Sequence, residues 1–472
     1  MVIKVYTYVG SQIQDLSGFM KVTVLFLLLV FAGWHQAAGQ DNTTIPSHVN
    51  LDTTKVDEVF DRYSDDTPGC ALGIAHKGEL IYSNGYGMAN LEHDIPITCD
   101  TRFLIASISK QFAAAALLVL EDQGELDLDE DLRTYIPELP DFESAITARQ
   151  LIHHTSGIRD LFHLLYINGR GLDPETPDSL AMEMIANQRD LNFEPGSRHI
   201  YSNAGYFLIS VLVKNISGQS LAEFTEEHLF GPSGMENTHF HDDFGKIVPN
   251  RSLSYRPVSG GYGLASRGNI ERVGARGLFT TIEDMAKWDR NFYENKTPIS
   301  DFKERMTEPG RVNNNNSLNY ATGLRLNTYK TYDTVGHGGW YMGFRTNYTR
   351  FKDKDLSIIV FCNSNHISPA SHTYDVADVL LKDSFNEVFE PYAGVYENRA
   401  YGVRYRIELE DGDLVLDRPD DPKGELSWED DDEFSISGWI LKFEKNSDGQ
   451  YDRFILETNG IKKLTFTRTD DE

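Results

Sequence analysis

The chain reads as an α/β (α+β) protein built on an antiparallel sheet, with a small antiparallel β-barrel at its C-terminus. Three observations carry that reading: strand-like apolar runs at both ends of residues 50–385, helical apolar spacing between them, and a tail of short alternating segments separated by turn dipeptides. At 472 residues there is room for one large domain and a small one, and a hydrophobic content of 40% is that of a globular chain.

Taken in order, Val22 to Trp34 is an apolar run preceded by Met20-Lys21 and followed by Ala37-Ala38-Gly39. That is the layout of a secretory signal peptide with a small-residue cleavage site, giving a leader over residues 1–39 whose true start is either Met1 or Met20. The run is shorter than the ~20 residues that span a bilayer. From Pro68 to Met88, Gly-Cys-Ala-Leu-Gly-Ile-Ala, a Lys77-Gly78 turn and Leu80-Ile-Tyr predict a hairpin. Residues 107–123 predict a buried helix, as do Gln150 to His154, Ser179 to Asn187 and Gly205 to Asn215, whereas Thr334 to Asn347 and Asp355 to Cys362 return to strand-like runs. A boundary falls near residue 390. Beyond it Tyr392-Ala-Gly-Val-Tyr396, Tyr405-Arg-Ile-Glu-Leu409, Leu414-Val-Leu416, Phe434-Ser-Ile436, Leu441-Lys-Phe443, Phe454-Ile-Leu456 and Leu464-Thr-Phe466 alternate between Asp-Gly, Ser-Gly and Asn-Gly turns. The acidic run Glu429 to Glu433 reads as a solvated loop.

The formal charge of -28 would repel nucleic acid and anionic membranes, leaving calcium, basic partners or plain solubility as its use. Sequons at Asn42, Asn215, Asn250, Asn295, Asn315 and Asn347, together with the leader, predict a secreted, extracellular glycoprotein. With only Cys70, Cys99 and Cys362, the chain is no disulfide-stapled scaffold.

Chemistry is suggested first by Ser107 and Lys110, in Phe103-Leu-Ile-Ala-Ser-Ile-Ser-Lys-Gln-Phe112. Three residues apart on a helix, they lie one turn from each other, and a lysine kept neutral by burial can take the proton of a serine hydroxyl. Alone, the pair also fits a solvated serine and lysine. Tyr201-Ser202-Asn203, after Glu194-Pro-Gly-Ser-Arg198, also fits a helix-entry turn, and His337-Gly338-Gly339, within Gly336-His-Gly-Gly-Trp-Tyr-Met-Gly-Phe344, also fits a bulge. Their fixed order is harder to meet by accident. Asn90-Leu-Glu-His-Asp-Ile-Pro-Ile97, Leu151-Ile-His-His-Thr-Ser-Gly157 and Gly277-Leu-Phe-Thr-Thr-Ile-Glu-Asp-Met285 lie around and between them.

With these motifs the chain resembles the serine beta-lactamase and penicillin-recognising peptidase family, on its class C and esterase-like branch, including the secreted beta-lactamase-like proteins of invertebrate matrices such as mollusc shell. The resemblance implies a beta-lactamase-like fold over residues 50–385, with a five-stranded antiparallel sheet flanked by helices, and a lipocalin-like barrel over 390–472. It implies a serine hydrolase that cleaves ester or amide bonds of a small molecule or peptide without a cofactor. Ser107 would be the nucleophile, with Lys110 and Tyr201 sharing the proton traffic. Asn203 would bond the lysine and the substrate's acyl side chain, and the N–H groups of Ser107 and Trp340 would form the oxyanion hole. Gly338 and Gly339 would let substrate lie against a strand edge. The family fold would also bring Cys70 beside Cys362, as a disulfide or as buried thiols.

At the third motif His337 stands where the family's lysine supplies a fixed charge for carboxylates. A neutral, shorter histidine favours an esterase or D-amino-acid-type amidase over an efficient beta-lactamase. The alternative is an acidic extracellular matrix protein, of shell or a similar mineral, that uses the hydrolase fold as scaffold and meets calcium or carbonate mineral. A third reading gives the barrel a lipid or glycan, against which its strands show no apolar excess. His239-Phe-His-Asp-Asp243 reads as a loop in preference to a metal site, and His153 and His154 as supports of the turn at Gly157.

Overall fold

The computed structural model describes residues 49–169, 177–266, 272–419, 421–430 and 432–469; the leader and the Asn42 sequon lie outside them. The expected hairpin forms from β1 (Cys70–His76) and β2 (Glu79–Tyr86). Lys77 (φ 51°) and Gly78 (φ 75°) supply the two positive φ values that a twist-matched two-residue turn needs. After the helical middle come β3 (Arg325–Tyr329), β4 (Tyr332–Tyr341), β5 (Phe344–Phe351) and β6 (Leu356–Cys362), giving the antiparallel order β3-β4-β5-β6-β1-β2. The sheet thus has six strands where five were expected. The added one, β3, is a mostly exposed edge strand, so it carries no apolar run to betray it.

Pairing of β1 with β6 joins the two ends of this domain, and it sets Cys70 opposite Cys362, where a disulfide links them. Side chains alternate between two cores along these strands: Ala71, Ala75, Ile359 and Phe361 face one, Leu72, Ile74, Ile358 and Val360 the other. A sheet covered on both faces explains why β6 is apolar throughout rather than alternating.

The first core holds α1 (Ser109–Asp122), buried from Ser109 to Leu120 and therefore apolar nearly all round. A 3-10 turn, Ala106–Ile108, precedes it and carries Ser107. Around α1 lie α2 (Leu161–Ile167), α3 (Asn203–Ser217) and α4 (Ile282–Arg290). The second core is shared by α5 (Pro369–Phe389) and the C-terminal barrel.

Eight strands, from β7 (Gly394–Asn398) to β14 (Leu464–Thr469), form the barrel, which closes where β7 pairs with β14. One strand, Asp421–Asp430, escaped the sequence reading because it is polar and charged, and Glu429 and Asp430 belong to its end rather than to a loop. Ile407, Leu416, Phe434, Leu441, Phe454 and Phe466 are buried, and Phe454 stacks on Phe466 at 4.9 Å. Such a barrel is filled by its own side chains. Lys330 ties it to the larger domain, reaching Asp378 of α5 at 2.8 Å and Asp413 at 2.6 Å.

Among the sequons, Asn347 is buried in β5, where its Nδ2 donates to Thr349 (2.8 Å) and Thr373 (2.9 Å). It offers no acceptor for a glycan in the folded protein, whereas Asn215, Asn250, Asn295 and Asn315 are exposed.

Candidate active site

The first two motifs meet at the start of α1. Lys110 is fully buried, and its Nζ lies 3.2 Å from Ser107 Oγ, 2.9 Å from Asn203 Oδ1 and 2.8 Å from the Ala275 carbonyl oxygen. The Tyr201 phenol lies beside the Ser107 side chain, which acts to lower its pKa, and Nζ sits 4.8 Å from the centre of the Tyr201 ring. Burial drives the Lys110 pKa well down, helped by Arg276 and Arg325 and opposed by Asp160. Burial moves the Tyr201 phenol the other way, well up, so at neutral pH it keeps its proton.

If Lys110 gives up its proton, its partners fix where the remaining N–H bonds point. A neutral lysine has two N–H bonds and one lone pair. Ala275 O can only accept, and Asn203 Oδ1 is held as an acceptor because Asn203 Nδ2 donates to Asp160 Oδ2 at 2.8 Å. Both N–H bonds are thereby spent, and the lone pair is left for the Ser107 hydroxyl.

Asp160 was not singled out in the sequence. Its Oδ2 accepts from the Asn203 backbone N–H (2.6 Å) as well as the side chain, while Oδ1 caps α2 through Phe162 N–H (2.9 Å). The available signal was a helix-capping aspartate just before Leu161-Phe-His. His154 lies beneath the second motif: its ring centre is 4.2 Å from that of Tyr201, and Nδ1 accepts the Ser202 N–H at 3.1 Å. Its part is therefore to seat the Tyr201-Ser202 segment.

The third motif lies on β4, whose pairing with β3 stops at Gly336. From His337 to Tyr341 the strand is paired to β5 alone among the described residues, which leaves one edge open beside Ser107. Gly339 permits the approach: a Cβ there would sit 2.3 Å from the Ile105 carbonyl oxygen, in the turn that carries Ser107. Ala106 in that turn has φ 50°, a left-handed conformation that costs an L-residue about 1–2 kcal/mol. Gly338 is exposed, and nothing lies within 3.7 Å of a Cβ added there. Gly339 thus serves packing and Gly338 leaves the edge bare; Trp340, 62% exposed, stands at the mouth.

His337 is 4% exposed, and burial pushes its pKa down to about 3, so it is neutral. Its Nδ1–H donates to Gly338 O at 2.6 Å, which leaves Nε2 to accept from the Tyr320 hydroxyl at 3.2 Å. Both ring nitrogens are engaged within the protein, and the imidazole brings no charge to the site. Positive charge comes instead from Arg325, 5.5 Å over the Tyr201 ring, and from the buried Arg276. Neither stood out among the chain's 44 lysines and arginines. His239 and His241 contact each other (3.2 Å) away from this constellation.

Comparison with known proteins agrees with this geometry. The Beta-lactamase family model matches residues 56–381. A D-aminopeptidase of Gluconobacter oxydans is 30% identical over 361 residues, 74% of this chain and 66% of that protein, and one of Brucella anthropi is 27% identical over 296 residues, 63% and 56%. The chain therefore spans just under two thirds and just over half of these relatives. Among solved structures, the octameric penicillin-binding protein homologue from Pyrococcus abyssi superimposes with a TM-score of 0.59 at 21% identity, covering 88% of this chain and 98% of that one. D-amino acid amidase from Ochrobactrum anthropi gives 0.58 at 21%, covering 70% and 99%. With a family match over most of its larger domain, and that family's fold around its sheet, the chain belongs to the beta-lactamase family.

Proposed function

We propose that the protein is a serine hydrolase that cleaves amide or ester bonds through an acyl-enzyme on Ser107. The observation that carries this reading is the Lys110 amine, fully buried, with its pKa driven well down by that burial and its Nζ 3.2 Å from Ser107 Oγ. Ser107 Oγ attacks the substrate carbonyl carbon and its proton passes to Lys110 Nζ. The N–H groups of Ser107 and Trp340 receive the developing oxyanion. The Tyr201 phenol then gives its proton to the leaving nitrogen or oxygen and is reprotonated from the lysine. Water follows the same route in reverse to release the acid. No cofactor enters these steps.

The relatives named D-aminopeptidase and D-amino acid amidase support D-configured amides as the substrate class, and the neutral His337 argues against efficient beta-lactam hydrolysis. The test is a panel of D- and L-aminoacyl p-nitroanilides and p-nitrophenyl esters. Turnover that favours the D-series, with kcat at least about 10³-fold lower in Ser107→Ala, is the expected result; equal product release by Ser107→Ala refutes it.

The reading includes secretion into an oxidising compartment, supported by the apolar leader and the Cys70–Cys362 bridge. Recovery of the processed chain from the medium of secreting cells checks it. A matrix role draws its support from the net charge of -28; Ser107→Ala protein that fails to bind calcium carbonate removes it.

A further inference from the structure

Arg276 is a buried cation without a hydrogen-bonding partner among the described residues. It is 3% exposed, and Nε, Nη1 and Nη2 find no acceptor among the described residues. Its guanidinium carbon lies 4.3 Å from the ring centres of both Phe162 and Tyr341. Aromatic faces attract the cation, yet they leave its N–H bonds unsatisfied. Tyr341 repeats the pattern, since its hydroxyl is buried and also lacks a partner among the described residues. The nearby carboxylate, Asp160, is already occupied by Asn203 and the start of α2, and the other charged neighbour, Arg272, is positive. Burial brings the Arg276 pKa down to about 10, so the group remains charged at neutral pH. In a chain of net charge -28 this is a local concentration of unsatisfied donors of the opposite sign.

Its position relates it to catalysis. Ala275, the preceding residue, holds Lys110 through its carbonyl. Phe162 donates its N–H to Asp160, which orients Asn203, and Tyr341 follows Trp340, the proposed oxyanion donor. Both neighbours are thus tied to the groups that receive the acyl half of a substrate. A guanidinium presents its donors as a planar fork, the shape a carboxylate matches with two parallel hydrogen bonds.

We propose that Arg276, with the Tyr341 hydroxyl, recognises a carboxylate on the acyl half of the substrate, so that the enzyme prefers acidic acyl groups over neutral ones of equal length. This rests on the Ser107 acyl-enzyme reading for its catalytic consequence, but not for binding.

Two measurements test it. Succinyl and glutaryl p-nitroanilides are compared with butyryl and valeryl p-nitroanilides in the wild type, Arg276→Gln, Arg276→Lys and Arg325→Gln. The wild type should favour the better acidic substrate about 10- to 100-fold in kcat/KM. That ratio should collapse to about one in Arg276→Gln, recover in part in Arg276→Lys and persist in Arg325→Gln. A ratio near one in the wild type, or one lost in Arg325→Gln and kept in Arg276→Gln, overturns the proposal.

The second measurement is independent of turnover. Glutaramate and valeramide are titrated by calorimetry into Ser107→Ala protein and into the Ser107→Ala/Arg276→Gln double variant, both checked for an unchanged melting transition. Tighter binding of glutaramate that disappears with Arg276 supports the site even if no substrate is cleaved, and equal affinities for the two probes overturn it. If Arg276→Gln lowers the melting transition, Arg276→Lys replaces it in the comparison. Absence of fluorophosphonate labelling on wild-type protein marks failure of the acyl-enzyme reading separately.

Discussion

Adding one methyl group at Gly339 tests whether the close passage of β4 past the nucleophile turn builds the site. A Cβ there would lie 2.1 Å from Thr346 Oγ1 and 2.3 Å from the Ile105 carbonyl oxygen. The threonine can rotate away, giving up its 2.9 Å hydrogen bond to Ile105 O, but the carbonyl is backbone. Carbon and carbonyl oxygen approach to about 3.3 Å, so β4 and the turn have to separate by ~1 Å. Overpacking on that scale costs about 1–3 kcal/mol, and misplacing reacting groups by ~1 Å costs about 10²-fold in rate. The displaced pair is the Trp340 N–H and Ser107, so the loss should fall on kcat more than on KM. Gly338 is the internal control, because nothing lies within 3.7 Å of a Cβ added there. The assay is kcat and KM on a p-nitrophenyl ester, with calorimetric melting, for both alanine variants. Gly339→Ala should lose about 100-fold in kcat and melt a few degrees lower, while Gly338→Ala should melt as the wild type does. Gly339→Ala protein that matches the wild type in both rate and melting would refute the reasoning.

Three other outcomes are expected. With Lys110 as the proposed proton acceptor, kcat/KM should fall as pH drops through its depressed pKa and level off above it; Arg325→Gln removes a charge that disfavours the ammonium form and should move this acid limb to higher pH, whereas Asp160→Asn should move it lower. Limbs that move in the reverse directions contradict the assignment. Asp160→Ala removes the acceptor of two Asn203 hydrogen bonds and the α2 cap, and denaturant titration should show a loss of about 2–4 kcal/mol. The Cys70–Cys362 bridge spans 292 residues, so Cys70→Ser/Cys362→Ser protein should unfold about 4–6 kcal/mol more easily on the chain-entropy account, and an unchanged midpoint would remove its stabilising role.

Where local rules and burial agreed, the sequence was readable. The Lys77-Gly78 turn, the helix after Ser107 and the apolar β6 each show their pattern within a few residues. Ser107, Lys110, Tyr201 and Asn203 were legible because their order repeats a known set of motifs, and the structure brings them within hydrogen-bonding reach of one another. The edge strand β3 and the strand Asp421–Asp430 were hidden because solvent-facing strands need no apolar alternation. Asp160 and Arg276 were hidden for another reason. An aspartate before a helix and an arginine in a loop are ordinary locally, and only the fold sets one against Asn203 and the other, unpaired, between Phe162 and Tyr341. The state of the cysteines depended on strand register, which single-sequence patterns do not fix.

The most direct test of a Ser107 nucleophile activated by a neutral lysine is intact mass spectrometry after a fluorophosphonate probe, on wild-type, Ser107→Ala and Lys110→Arg protein. The account predicts one adduct on the wild type, none on Ser107→Ala, and labelling at least about 100-fold slower on Lys110→Arg, whose guanidinium stays protonated. Folded wild-type protein that takes no adduct, or an adduct that survives Ser107→Ala, would contradict it.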